Sequence, residues 1–123
     1  MALSDVSLAS QVSVFRARQT QATSTSDTIG SGTINMDQLL IDNALNPDTQ
    51  VYVKLYDTGS AVTVGETVPD FIFPCAGGAT AEYSVSPGAK FANGIKAACV
   101  TTAGVGGTTD PSNSVVWTML YHS

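Results

Sequence analysis

Charge is what this chain lacks most. Of its 123 residues, 5 are Lys or Arg and 10 are Asp or Glu, so charged residues make up 12% of the whole, about half the usual share. Five scattered basic residues cannot track a phosphate backbone, so nucleic acid is not expected as a partner. No apolar run approaches the ~20 residues of a membrane-spanning helix, so no membrane is expected either. The opening Met1-Ala2-Leu3-Ser4-Asp5 lacks the basic and apolar regions of a secretory signal, and no Asn-x-Ser/Thr sequon occurs. The two cysteines, Cys75 and Cys99, lack the Cys-x-x-Cys spacing of zinc or redox sites. They are expected as free, buried thiols rather than a disulfide. His122 is the single histidine. Close to the end of the sequence, it is expected to be solvated, whereas a Ser-His-Asp triad needs a buried, oriented ring. With so little charge, the surface must be built of Ser, Thr, Asn and Gly, which suits tightly packed neighbours.

The best-defined stretch runs from Gln50 to Ser60. Val51, Val53 and Leu55 alternate with Tyr52, Lys54 and Tyr56, a period of two that marks a strand with one apolar and one amphipathic face. It stops at Asp57-Thr58-Gly59, residues with turn chemistry. Met36 to Asp42 has Met36, Leu39 and Leu40 at helical spacing, but it runs straight into turn residues and is read as a strand. The segment from Leu39 to Asp57 is therefore expected to be a β-hairpin around the polar turn Ala44 to Thr49, at the centre of an all-β domain. Further strands are expected over Asp70 to Pro74, Ala79 to Val85, Ile95 to Thr102 and Val115 to Tyr121, with turns at Cys75 to Gly78 and Pro87-Gly88. Ala103 to Ser114 reads as a Gly- and Thr-rich loop. Gln11 to Arg18 has β character, while Gln19 to Gly32, with too few large apolar residues to hold a place in a core, reads as loop or as an extended arm lying on something else, able to add a strand by backbone pairing.

Short strands, Gly/Pro turns and no convincing helix predict a β-sandwich, jelly-roll- or immunoglobulin-like. The expected organisation is an N-terminal arm and edge strand over 1–32, followed by a sandwich domain over 33–123. The last strand is apolar on both sides. A strand of that kind is either central in its sheet or covered by another subunit. Val115, Trp117, Met119 and Tyr121 are accordingly the candidate subunit interface.

Four patterns could carry chemistry. Leu55-Tyr56-Asp57-Thr58-Gly59-Ser60 has the form of an aspartic-protease turn, and one such turn per chain would suit a homodimeric enzyme in which two carboxylates share a proton. The second half of that protease pattern, an apolar pair, Gly and a charged residue entering a helix, is missing: Gly104-Val105-Gly106-Gly107-Thr108 leads into polar loop. Asp42, Asn43, Asn46 and Asp48 could offer oxygens to a hard cation, but Asx turns account for the same residues. The glycine-rich run lacks the Lys and helix of a phosphate loop. Tyr52, Tyr56 and Trp117 could stack on a sugar, although such residues more often fill a core or interface. No catalytic, cofactor or metal constellation is therefore expected, and Asp57 is read as structural.

One resemblance goes further. Tyr52-Val53-Lys54-Leu55-Tyr56-Asp57 and Thr63-Val64-Gly65, with Pro69, Phe73-Pro74, Gly77-Gly78, Phe91, Gly94-Ile95 and Leu120-Tyr121, resemble small virion structural proteins of tailed bacteriophages. Leu40-Ile41-Asp42-Asn43 looks like that group's entry strand. The resemblance covers the last two thirds of the chain and contains no catalytic motif. It implies a β-sandwich that decorates or cements the phage head, or failing that a tail component. The implied partners are the major capsid protein and further copies of itself, as a homotrimer on local three-fold positions. The implied location is the capsid surface, with the host cytoplasm before assembly. The alternatives are the aspartic protease and a carbohydrate-binding appendage domain.

Overall fold

The computed structural model describes residues 15–122, in which eight strands form two four-stranded sheets. The strands are β1 Phe15–Gln19, β2 Asp27–Ser31, β3 Ile34–Asp42, β4 Val51–Asp57, β5 Phe71–Cys75, β6 Thr80–Phe91, β7 Gly94–Val100 and β8 Val116–His122. One sheet, here sheet A, has the order β1-β8-β3-β6, and the other, sheet B, has β2-β7-β4-β5. Every pairing is antiparallel. First pairs with last, second with seventh and third with sixth, around the fourth and fifth. This nested order is a jelly roll, the first of the two sandwich types expected, and not the immunoglobulin arrangement.

Period-two alternation puts one side of each sheet into a shared core. Ile34, Met36, Leu39 and Ile41 of β3, with Val115, Trp117 and Met119 at β8, supply it from sheet A. Val51, Val53 and Leu55 of β4 and Ile95, Ala97 and Cys99 of β7 supply it from sheet B. Phe71 and Phe73 of β5 lean across to Phe91 and Tyr83 of β6, with ring centroids 5.4 and 4.7 Å apart, and close one side of the sandwich. Both cysteines are free and buried.

The expected hairpin from Leu39 to Asp57 does not form. β3 pairs with β6 and β8, whereas β4 pairs with β5 and β7, so the chain crosses from one sheet to the other between them. The crossing is held by two wholly or nearly buried amides. Asn43 donates through Nδ2 to the carbonyls of Thr49 (2.7 Å) and Ala76 (3.2 Å), and its Oδ1 accepts from Asn46 Nδ2 at 2.9 Å. Asn46 exchanges hydrogen bonds with the Asn113 backbone at 2.9 and 3.1 Å. Gly77 is required here: a Cβ would meet Pro47 O at 2.7 Å and Thr49 N at 2.8 Å.

Two further expectations need correction. The run from Gln19 to Gly32 does add a strand by backbone pairing, β2 on β7, but within its own sandwich, and Ala22 enters the core it was not expected to reach. Residues 15–31 thus belong to the sandwich, with β1 an edge strand as expected, and the rest of the expected arm, 1–14, lies outside the described residues. Pro87-Gly88 does not end a strand. β6 runs on through it, taking up extra residues where the register against β3 shifts between Met36 and Gln38, with Gly88 at φ +123°.

Candidate functional site

The chemistry-bearing residues divide between the two outward faces of the sandwich. On β4, Tyr52, Lys54 and Tyr56 point away from the core, the side that sequence alternation assigns to partial exposure. Lys54 is nonetheless 0% exposed and Tyr56 1%. Ala98 and Val100, on the same side of β7, are buried too. The cover is the long connection from β7 to β8. Lys54 Nζ donates to the carbonyls of Gly104 (2.7 Å), Gly107 (3.0 Å) and Val105 (3.5 Å). An ammonium has three N–H groups, and all three are used. Gly65, at φ +98°, sets the β4–β5 connection directly against Thr108 of this loop, so the two connections lie together over sheet B.

Burial lowers the pKa of Lys54 below the ordinary lysine value and raises that of Tyr56, because both charged forms lose water. Among the described residues the Tyr56 hydroxyl is buried without a hydrogen-bond partner. Lys54 is a latch that holds the glycine-rich loop down, and sequence reasoning missed it. The signal was a lone lysine between two tyrosines, together with a loop whose glycines leave carbonyls bare.

The protease-like turn serves the scaffold as well. The Asp57 carboxylate accepts the Asn93 N–H at 2.9 Å and the Ala92 N–H at 3.3 Å, pinning the β6–β7 turn. Its own N–H donates to Asp70 Oδ2 at 2.6 Å. Of the cation-candidate loop, Asn43 and Asn46 are engaged in the crossing, and Asp42 accepts the Ala44 N–H at 3.0 Å as an Asx turn. Asp48 is exposed at its rim, and no metal-ligating cluster occurs among the described residues. His122 is only partly exposed, not fully solvated: its Nδ1 lies 2.8 Å from Asp37 Oδ2, at the β3 bulge. Burial pushes the Cys99 thiol up to about 12 and raises Cys75 as well, which keeps both protonated.

The candidate interface residues face the wrong way for that role. Val115, Trp117 and Met119 are buried in the core of their own sandwich, and Tyr121 packs part-buried on Phe15, with centroids 5.5 Å apart. β8 is central, between β1 and β3, so both its edges are paired, but its outward Val116 and Leu120 remain part-exposed. Trp117 and Tyr56, both buried, offer a sugar no stacking surface.

Among the described residues, sheet A's outward face has no such cover. It consists of Arg16 and Arg18 on β1, Val116, Thr118 and Leu120 on β8, Gln38, Leu40 and Asp42 on β3, and Glu82 and Ser84 on β6. Leu40 is 37% exposed, and Arg18, Asp42 and Glu82 are exposed. A shallow groove of ≈ 280 Å³ runs between Arg18, Leu40, Asp42, Thr80, Val116 and Thr118. Apolar, hydroxyl and charged groups are thus mixed on one pleated surface.

No protein-family model and no curated protein matches the chain. Among solved structures it is similar to a chain of the disulfide-linked pili of Bacillus endospore appendages. The identity is 11%, over 92% of this chain and 90% of that one, with a TM-score of 0.42, a likeness too loose to bear on function.

Proposed function

We propose that the protein is a structural subunit of a virion, a cement or decoration protein that binds and stabilises the assembled head of a tailed bacteriophage. Its partners in this reading are the major capsid protein and further copies of itself, clustered as a homotrimer on the capsid surface. The observation that carries the proposal is the contrast between the two faces. The candidate chemical groups Asp57, Asn43, Asn46 and Lys54 are spent on holding loops, while the described residues leave sheet A's outward face uncovered, as docking on a partner would require. The sequence resemblance points the same way. Jelly rolls are used by viral capsid proteins and also by lectins and cupins, so the fold adds only an association. The protease reading would need Asp57 free to share a proton with a second copy, and its carboxylate is occupied by two backbone N–H groups.

Particles purified through a density gradient test the proposal when their protein content is counted by quantitative mass spectrometry. The expected result is this chain at a fixed, high copy number, with heads that lose heat resistance when it is removed. Absence from intact particles, or pepstatin-sensitive peptide cleavage by the purified protein that Asp57→Asn abolishes, would overturn it.

A further inference from the structure

We infer that sheet A's outward face is self-complementary and that a second copy of this chain docks on it about a two-fold axis parallel to the strands. The register lays the face out in rows. One row reads Arg18, Thr118, Leu40, Glu82 across β1, β8, β3 and β6. The next reads Arg16, Leu120, Gln38, Ser84. Both arginines of the chain within the described residues lie at one edge; at the other lie Glu82, which accepts from Gln38 Nε2 at 2.6 Å through one oxygen, and, beyond the β3 bulge, Lys90. The two edges are three strand spacings apart, about 14 Å, and among the described residues neither arginine forms a salt bridge.

Two copies can meet face to face in two symmetric ways with the axis in the plane of the sheets. An axis across the strands sets β1 on β1 and brings arginine against arginine. An axis along the strands sets β1 of one copy on β6 of the other. Arg18 then meets the other copy's Glu82, Thr118 meets Leu40, and Leu120 meets Gln38, each contact occurring twice. Charge selects the second arrangement, and a two-fold contact of this kind is self-complementary by construction. Face-to-face sheets with their strands within about 30° are an ordinary packing. Four short strands make a patch well below the ~800 Å² per partner of a standard interface, so the contact is weak and salt-sensitive. It does not depend on the virion reading. A two-fold contact on this face also leaves other surfaces available for a three-fold cluster.

Sedimentation velocity on the full chain, from about 1 µM to 1 mM, tests the inference. The expected result is a doubling of the mass of the smallest species as concentration rises, weakened by 0.5 M NaCl because screening acts on exposed pairs. Arg18→Glu and Glu82→Arg should each weaken the doubling about ten-fold or more, since each breaks both symmetric pairs. The double variant should restore it, as should a mixture of the two single variants. Circular dichroism checks that these exposed substitutions leave the fold intact. No doubling at 1 mM, doubling unaffected by either reversal, or no recovery in the double variant would each overturn the inference.

Discussion

The two outward faces of this sandwich start from the same kind of strand and end differently. Sheet A leaves Leu40, Thr118 and Leu120 at least partly open to solvent, whereas sheet B hides Lys54, Tyr56, Ala98 and Val100 almost completely. The strands do not differ in periodicity. What differs is the length of chain returning over them, since residues 101–115 and 58–70 meet above sheet B. A strand's outward row therefore becomes a surface or a second core according to the connections. In this molecule the loops close one face, while the described residues leave the other uncovered.

The largest test of that contrast lies within one strand. Trp117 points inward and Leu120 outward, so Trp117→Ala should cost about 3–5 kcal/mol in chemical denaturation and unfold the domain rather than dissociate an oligomer. Leu120→Ser should leave it folded. If both variants remain folded and only assembly changes, the inward assignment of β8 is wrong.

On sheet B, Lys54→Met keeps the stem but strands the carbonyls of Gly104, Val105 and Gly107. A loss of about 2–4 kcal/mol is expected, with amide exchange accelerated in 101–115 before the core strands. Lys54→Arg should not rescue it, because a planar guanidinium does not fit a cage built for a compact ammonium. Stability equal to wild type would mean that the loop is held by something else.

The next effect is set by pH. The Cys99 thiol is pushed up to about 12 in the folded protein, from an ordinary value near 9. Above pH 9 the unfolded chain ionises this thiol and the folded one does not, so stability falls as pH rises from 9 toward 12, by about 2 kcal/mol at pH 10.5. Cys99→Ala should flatten that fall. Lys54 works in the opposite direction, because a lowered pKa adds stability as pH rises toward 10.5. It is common to both proteins, so the comparison isolates the thiol. An alkaline fall equally steep in Cys99→Ala would contradict the burial of this group.

Two small effects complete the contrast. Tyr56→Phe removes a buried hydroxyl that has no partner and should be neutral or stabilising by up to ~1 kcal/mol. A marked loss would reveal a hydrogen bond to that hydroxyl. Leu40→Ser, on the open face, should change monomer stability by no more than about 0.5 kcal/mol while reducing self-association.

Much of this fold could be read from alternation. β5, β7, β8 and the start of β6 lie where short apolar runs between turn residues put them, and the choice of strand over helix for Met36 to Asp42 holds. The misses share a cause, which is that alternation describes a strand but not its partner. Asn43 and Asn46 look like ordinary turn residues, yet buried they carry the chain between sheets and undo the expected hairpin. Asp27-Thr28-Ile29-Gly30-Ser31 has one large apolar residue and pairs through its backbone, the route left open to a Ser/Thr-rich run, but composition does not reveal that its partner is β7 of the same sandwich. At the candidate site, the two-sided apolar character of β8 was legible, but Trp117 and Met119 fill the strand's own core, and the part-exposed apolar row is Val116 and Leu120. The buried Lys54 depends on a loop fifty residues away, beyond any local pattern.

Hydroxyl-radical footprinting tests the contrast most directly when run on dilute protein and again at self-associating concentration. Tyr56 and Val100 should be protected in both states. Leu40, Val116 and Leu120 should be labelled in the dilute protein and protected in the associated one. Labelling of Tyr56 in the dilute folded protein, or equal labelling of Leu40 in both states, would contradict the account of one closed face and one face kept for assembly.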